Sequence, residues 1–141
     1  MAVMWSDAMA HAILNAIVRQ VAFPLPAACY AGLCTTAAEP IGTGLGSAVE
    51  AAFTGYARPQ LTTTIMAAPS GRQIVSSGGA ISFGTPTNAA EVPYPTLRWI
   101  TLWSAVTGGT YLGYGQLTTD VPPQLNQALT ISTSNLVIRQ T

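Results

Sequence analysis

Residues 99–117 read WITLWSAVTGGTYLGYGQL. Apolar residues crowd both ends, and a Gly-Gly pair sits at 108–109. The pattern predicts a hairpin: one strand from Leu97 to Ser104, a second from Thr110 to Leu117, and AVTGG as the connection. Side chains alternate across a strand. Trp99 and Trp103 therefore share one face, and Arg98, Ile100 and Leu102 share the other. On the second strand the same rule groups Tyr111 with Leu117, and Leu112 with Tyr114. The segment carries four aromatic rings and no ionisable group beyond its phenols. It offers surface and shape rather than catalytic chemistry.

The flanking chain also reads as short strands divided by turn residues. Candidates are Ala27–Thr35, a threonine-rich Ala57–Ala67 with Pro59 marking an edge, Gln73–Ser76, Ala80–Phe83, Ala128–Ser132 and Asn135–Arg139. Gly78-Gly79 is the expected turn between the third and fourth of these. The stretch 37–55 reads as a loop with one helical turn near Ser47–Ala52, and 85–95 as a loop with three prolines. Seven or eight short strands with regular turns predict a mainly β fold, an antiparallel β-sandwich or jelly roll.

One helix precedes them. Ser6-Asp7 supplies an N-cap. Ala10, Ile13, Leu14, Ile17, Val18 and Val21 then recur every three or four residues. The spacing predicts a helix over residues 7–20, stopped by Pro24 and Pro26. A single domain follows: helix 7–20 and β-sandwich 27–141 in a chain of 141 residues.

Composition narrows the function. Only 7% of residues are charged, 49% are hydrophobic, the mean hydropathy is +0.37 and the formal net charge is zero. Such a chain has little to keep its copies apart, so much of its surface is expected to be covered by protein. Its five arginines (Arg19, Arg58, Arg72, Arg98 and Arg139) are spread along the chain with no lysine. This is not the clustered charge that nucleic acid requires. No apolar run reaches the ~20 residues of a membrane-spanning helix. Met1 is not followed by a basic stretch and apolar core, so no signal peptide is expected. Cys29 and Cys34 are five apart, on opposite faces of an extended strand and roughly 16 Å from one another. They are expected to be free thiols in a protein made in the cytoplasm.

Catalytic and metal chemistry find no support. His11 is the single histidine and reads as a packing or surface residue. The acids Asp7, Glu39, Glu50, Glu91 and Asp120 show no paired spacing. Gly42–Ser47 (GTGLGS) lacks the lysine of a phosphate-binding loop. No catalytic residue, cofactor or metal site is expected, and the chain is not expected to be an enzyme. If Ile100 and Leu102 face the core, Trp99 and Trp103 face outward, into a second layer, or beneath the helix. Trp5, Ile13 and Ile17 of the N-terminal segment, together with Tyr94, Trp99 and Trp103, are the candidate interface residues.

The order of segments carries a resemblance. ILNAIVRQVAF, CYAGLCTTAAEP, GYARPQLTTT, IVSSGGAISFG, ITLWSAVTGGTYLGYGQLTT and LTISTSNLVI follow one another. The chain resembles small bacteriophage virion proteins described as tail fibre-like, which include capsid decoration, or cement, proteins. Matching residues are Gly55–Arg58, Ala80–Phe83 and Thr107–Thr118. AGLCT departs from the usual LYT form of the first strand. The resemblance implies a non-catalytic virion structural protein with a sandwich or jelly-roll fold. On that basis the expectation is a capsid decoration protein on the capsid surface. It would bridge and stabilise major capsid protein subunits and associate with itself as a homotrimer. A tail fibre or other tail-associated adhesion component is the alternative.

Overall fold

A computed structural model describes residues 4–23, 26–35, 49–71 and 73–139. The elements run β1 (Met4–Trp5), α1 (Asp7–Val18), β2 (Tyr30–Thr35), β3 (Gln73–Val75), β4 (Ile81–Ser82), β5 (Leu97–Trp103), β6 (Tyr111–Val121), β7 (Thr130–Ile131) and β8 (Val137–Arg139). One turn of 3-10 helix spans Ala89–Glu91. The fold is mainly β, as expected, and every strand pair is antiparallel.

The predicted hairpin is the heart of the main sheet. β5 and β6 occupy its centre in the order β1-β6-β5-β2. β3 pairs with β8 and β4 with β7 as two small ribbons. One face of the main sheet sends Leu33, Ile100, Leu102 and Leu112 into a core with Phe53, Ile81, Phe83 and Leu136. The ribbons and the segments between them form the opposing layer, giving the two-layer arrangement that buries one sheet face. The other face carries a separate cluster of Cys34, Trp99, Trp103, Tyr111 and Tyr114.

From Trp99 to Trp103 the faces of β5 are as the alternation predicts, but Arg98 is an extra residue between Leu97 and Trp99, so Leu97 and not Arg98 joins Ile100 and Leu102 in the core; the faces of β6 also depart from the alternation. Leu102 pairs with Gly113 while Trp103 pairs with Tyr111, so Leu112 is an extra residue on β6. A bulge of this kind shifts the alternation by one. Tyr111 therefore joins Tyr114, and Leu112 joins Leu117 on the core face. Next to the bulge, β1 crosses close to β6. A Cβ on Gly113 would lie 2.3 Å from the Met4 carbonyl oxygen, so only glycine admits β1 at this edge.

Two other expectations are corrected. Ala57–Ala67 is not a strand. After Pro59 the chain turns at Thr63–Ile65, where Met66 N–H donates to the Thr62 carbonyl at 2.8 Å. The hydroxyls of Thr62 and Thr64 bond one another at 2.6 Å. Local hydroxyl bonding of this kind competes with ladder pairing. Nor do β3 and β4 form a hairpin about Gly78-Gly79. The amides of Ser77 and Gly78 bond the Ile65 carbonyl instead, and each strand takes a partner from the C-terminal end. The loop 36–48, with Gly42–Ser47, lies outside the described residues. Residues 49–52 are not helical, and Glu50 bridges Cys34 beside β2. Cys29 and Cys34 are free and pack on opposite faces of the sheet, as the spacing predicts.

The helix begins as expected: Ser6 caps it, accepting from Met9 N–H. It ends at Val18, before the prolines, because Gln20 adopts a left-handed backbone (φ 54). No helix among the described residues is long and apolar enough to cross a membrane.

Candidate functional site

The most elaborate polar arrangement lies on the aromatic face of the sheet and is built by the GYAR segment. Arg58 is buried. Its Nε donates to Glu50 Oε1 at 2.6 Å and its Nη2 to Glu50 Oε2 at 2.5 Å, a bidentate pair. Nη1 donates to the carbonyls of Ala105 (3.0 Å) and Gly108 (2.8 Å) in the β5–β6 connection. The guanidinium carbon lies 4.0 Å from the centroid of the Trp103 ring. Tyr56 completes the group: its hydroxyl donates to Glu50 Oε1 and accepts from Leu33 N–H, both at 2.9 Å. Burial raises the Tyr56 phenol far above its ordinary pKa, keeping it protonated and able to donate. Gly32 makes room, since a Cβ there would stand 2.7 Å from Thr101 Oγ1 and 3.2 Å from Glu50 Oε1.

This arrangement holds a hairpin tip and a sheet edge together; it presents no free base or nucleophile. Two other described acids, Glu91 and Asp120, are engaged too. Glu91 accepts from the hydroxyl and amide of Thr54 (2.6 and 2.9 Å) and from Asn88 Nδ2 (3.0 Å). Asp120 pairs with Arg98 at 3.2 Å on the surface. Among the described residues no three His, Cys, Asp or Glu side chains gather as metal ligands.

The candidate interface residues separate. Trp99 and Trp103 are each only 8% exposed, and Tyr94 7%. The tryptophans therefore do not face outward as free contact surface: Trp99 packs edge-on to Tyr114, and Trp103 lies against Tyr111 and under Arg58. Tyr94 packs edge-on to Phe53 and donates its hydroxyl to the Asn88 carbonyl. Trp5 and Ile13 are half-buried. Ile17 is 73% exposed, and Leu14, Val18 and Val21 are exposed beside it. Sequence reasoning passed over Glu50 as a contact of Arg58. Its signal was available: a carboxylate eight residues before an arginine in a chain with almost no charges.

A protein-family model described as podophage GP4 fiber I protein gp80 matches residues 4–139. The chain belongs to this gp80 family. It is a phage virion structural protein. The match takes in β1, α1 and all the later strands, so the helix and the arginine lock are both parts of the gp80 unit. No curated protein matches the chain.

Proposed function

We propose that this gp80-family chain is a fibre component of the virion, a non-catalytic building block rather than a capsid decoration protein. The observation that carries the reading is the family description, which names a fibre and extends over nearly the whole chain. The chemistry is consistent with it. Glu50, Glu91 and Asp120, the acids a hydrolase would need, are spent on structural bonds. The surface combines few charges with an exposed apolar helix end, a composition suited to contact with other protein. The decoration reading, favoured on sequence, has no such support, and bridging of major capsid protein subunits rests on resemblance alone.

The test is location and copy number in purified particles, by immunogold electron microscopy and quantitative mass spectrometry. A few to a few dozen copies at the tail are expected. Hundreds of copies on the shell would overturn the fibre assignment in favour of decoration.

A further inference from the structure

The start of α1 is tied to the main sheet through one side chain. Ser6 is fully buried. Its Oγ accepts from Met9 N–H at 3.2 Å and donates to the Tyr111 carbonyl at 2.8 Å. Its amide donates to the Leu112 carbonyl, also at 2.8 Å. A single hydroxyl therefore caps the helix and fastens it to β6. Just before it, Met4 and Trp5 pair with Tyr114 and Gly113. Both β1 and α1 pack on β6.

Beyond that anchor the helix is loosely seated. None of its twelve residues is buried, and Leu14, Ile17 and Val18 are each more than half exposed. A cleft of about 210 Å³ is lined by Ala8, Met9 and Ala12 of the helix and by Ser104, Thr110 and Leu112 of the sheet side. Protein interiors are close-packed, so a space of this size under a helix marks weak docking. A helix this short does not persist in water without a packed face. Released from β6, α1 would keep its cap but lose its packing, and would melt. The reverse also holds. A melted α1 withdraws the Met9 donor from Ser6 and leaves β1, two residues long, to hold the edge of β6 with few contacts of its own.

We propose that Met4–Val18 is a strap that folds as it closes. The β1 pairing, the Ser6 anchor and the helix form and break together, as one unit less stable than the sheet beneath it. β6 stays paired with β5 on its other side throughout. Open, the strap bares the backbone edge of β6 from Tyr111 to Tyr114, the kind of edge that templates further pairing. Closed, it covers that edge. The strap is a guard on the main sheet whose helical half exists only in the closed state.

Native-state hydrogen exchange of the full chain, resolved by NMR, tests this. The amide at position 6 reports the anchor, those of Ala10–Asn15 report the helix, and that of Phe83, bonded to the Leu129 carbonyl, reports the opposing layer. Anchor and helix amides are expected to share one opening constant, larger than that of Phe83. Leu14→Gly, at an exposed position of the helix, is expected to speed the helix amides about threefold, the glycine penalty. The amide at position 6 is expected to accelerate by the same factor. Ser6→Ala is expected to speed the β1 and α1 amides together, by roughly fivefold for the lost cap, with Phe83 unchanged. Three results would each overturn the proposal: helix amides that exchange while position 6 stays as protected as Phe83, a Leu14→Gly effect confined to the helix, or strap amides that exchange only with global unfolding. None of them bears on where the protein sits in the particle.

Discussion

The Arg58 guanidinium lies over the Trp103 indole at 4.0 Å while its edges are held by Glu50. It joins four pieces of chain: the segment before the GYAR box, the end of β5, the turn beyond it, and Arg58's own. Breaking a buried pair by removing one partner leaves the other charge unmatched. Arg58→Ala is expected to destabilise the fold by about 3 kcal/mol. Arg58→Lys keeps the charge but loses the fork and the stacking, and is expected to cost about 2 kcal/mol. Urea unfolding of both variants, with Glu50→Gln in a double-mutant cycle, checks the values; a lysine variant as stable as wild type would remove the geometric argument.

Glu91 sets a pH dependence. Hydrogen bonds from the Thr54 hydroxyl and amide hold its carboxyl below the ordinary value of 4.5. A lowered folded pKa means the unfolded chain takes up the proton first. The contribution is complete above the ordinary carboxyl range and disappears as pH falls through the lowered folded value. The Thr54 amide resonance is expected to move with that titration, and Glu91→Gln is expected to flatten the response between pH 5 and pH 3 (about the carboxyl range).

Gly113→Ala tests the crossing of β1 over β6. The added methyl meets the Met4 carbonyl oxygen, and overpacking of this kind costs about 1–3 kcal/mol. The expected signature is local: Trp5 fluorescence shifts to the red and the amides of β1 lose protection from exchange. Ala substitution that leaves Trp5 emission unchanged would mean that β1 does not pair there.

The thiols should be slow to react. Burial pushes Cys29 up to about 11 and Cys34 up to about 12, and only the thiolate is nucleophilic. Labelling with a disulfide reagent at pH 8 is expected to be far slower than for a free thiol, with Cys29 ahead of Cys34, because Cys29 is half-buried. Denaturant should equalise them. Fast labelling of Cys34 in the native protein would contradict its burial.

Local patterns in the sequence were faithful guides where local forces decide. The hairpin about Gly108-Gly109, the Ser6 cap and the opposite faces of Cys29 and Cys34 all follow from short-range periodicity. The bulge at Leu112 does not, because it is created by the register between two strands. Likewise Gln73–Val75 and Ile81–Ser82 look like a hairpin in isolation, yet each finds a C-terminal partner more than forty residues away. The lock was half legible. Arg58 stands out in the GYAR box, whereas its pairing with Glu50 and the carbonyls of Ala105 and Gly108 exists only once the sheet has formed. The tryptophans were placed on the correct face, but what covers that face is a tertiary matter.

The bond from Ser6 to Tyr111 spans 105 positions of sequence. β1 therefore has no sheet to join until β6 has emerged from the ribosome, and both ribbons wait for the final strands. Such distant pairings make for slow folding. During synthesis the apolar helix is made early and spends most of translation with nothing to pack on, exposed to premature encounters with neighbouring nascent chains. Productive folding of this protein consequently comes in two late steps: β6 gives β1 and the start of α1 a place to pack, and β7 and β8 then complete the two ribbons of the opposing layer.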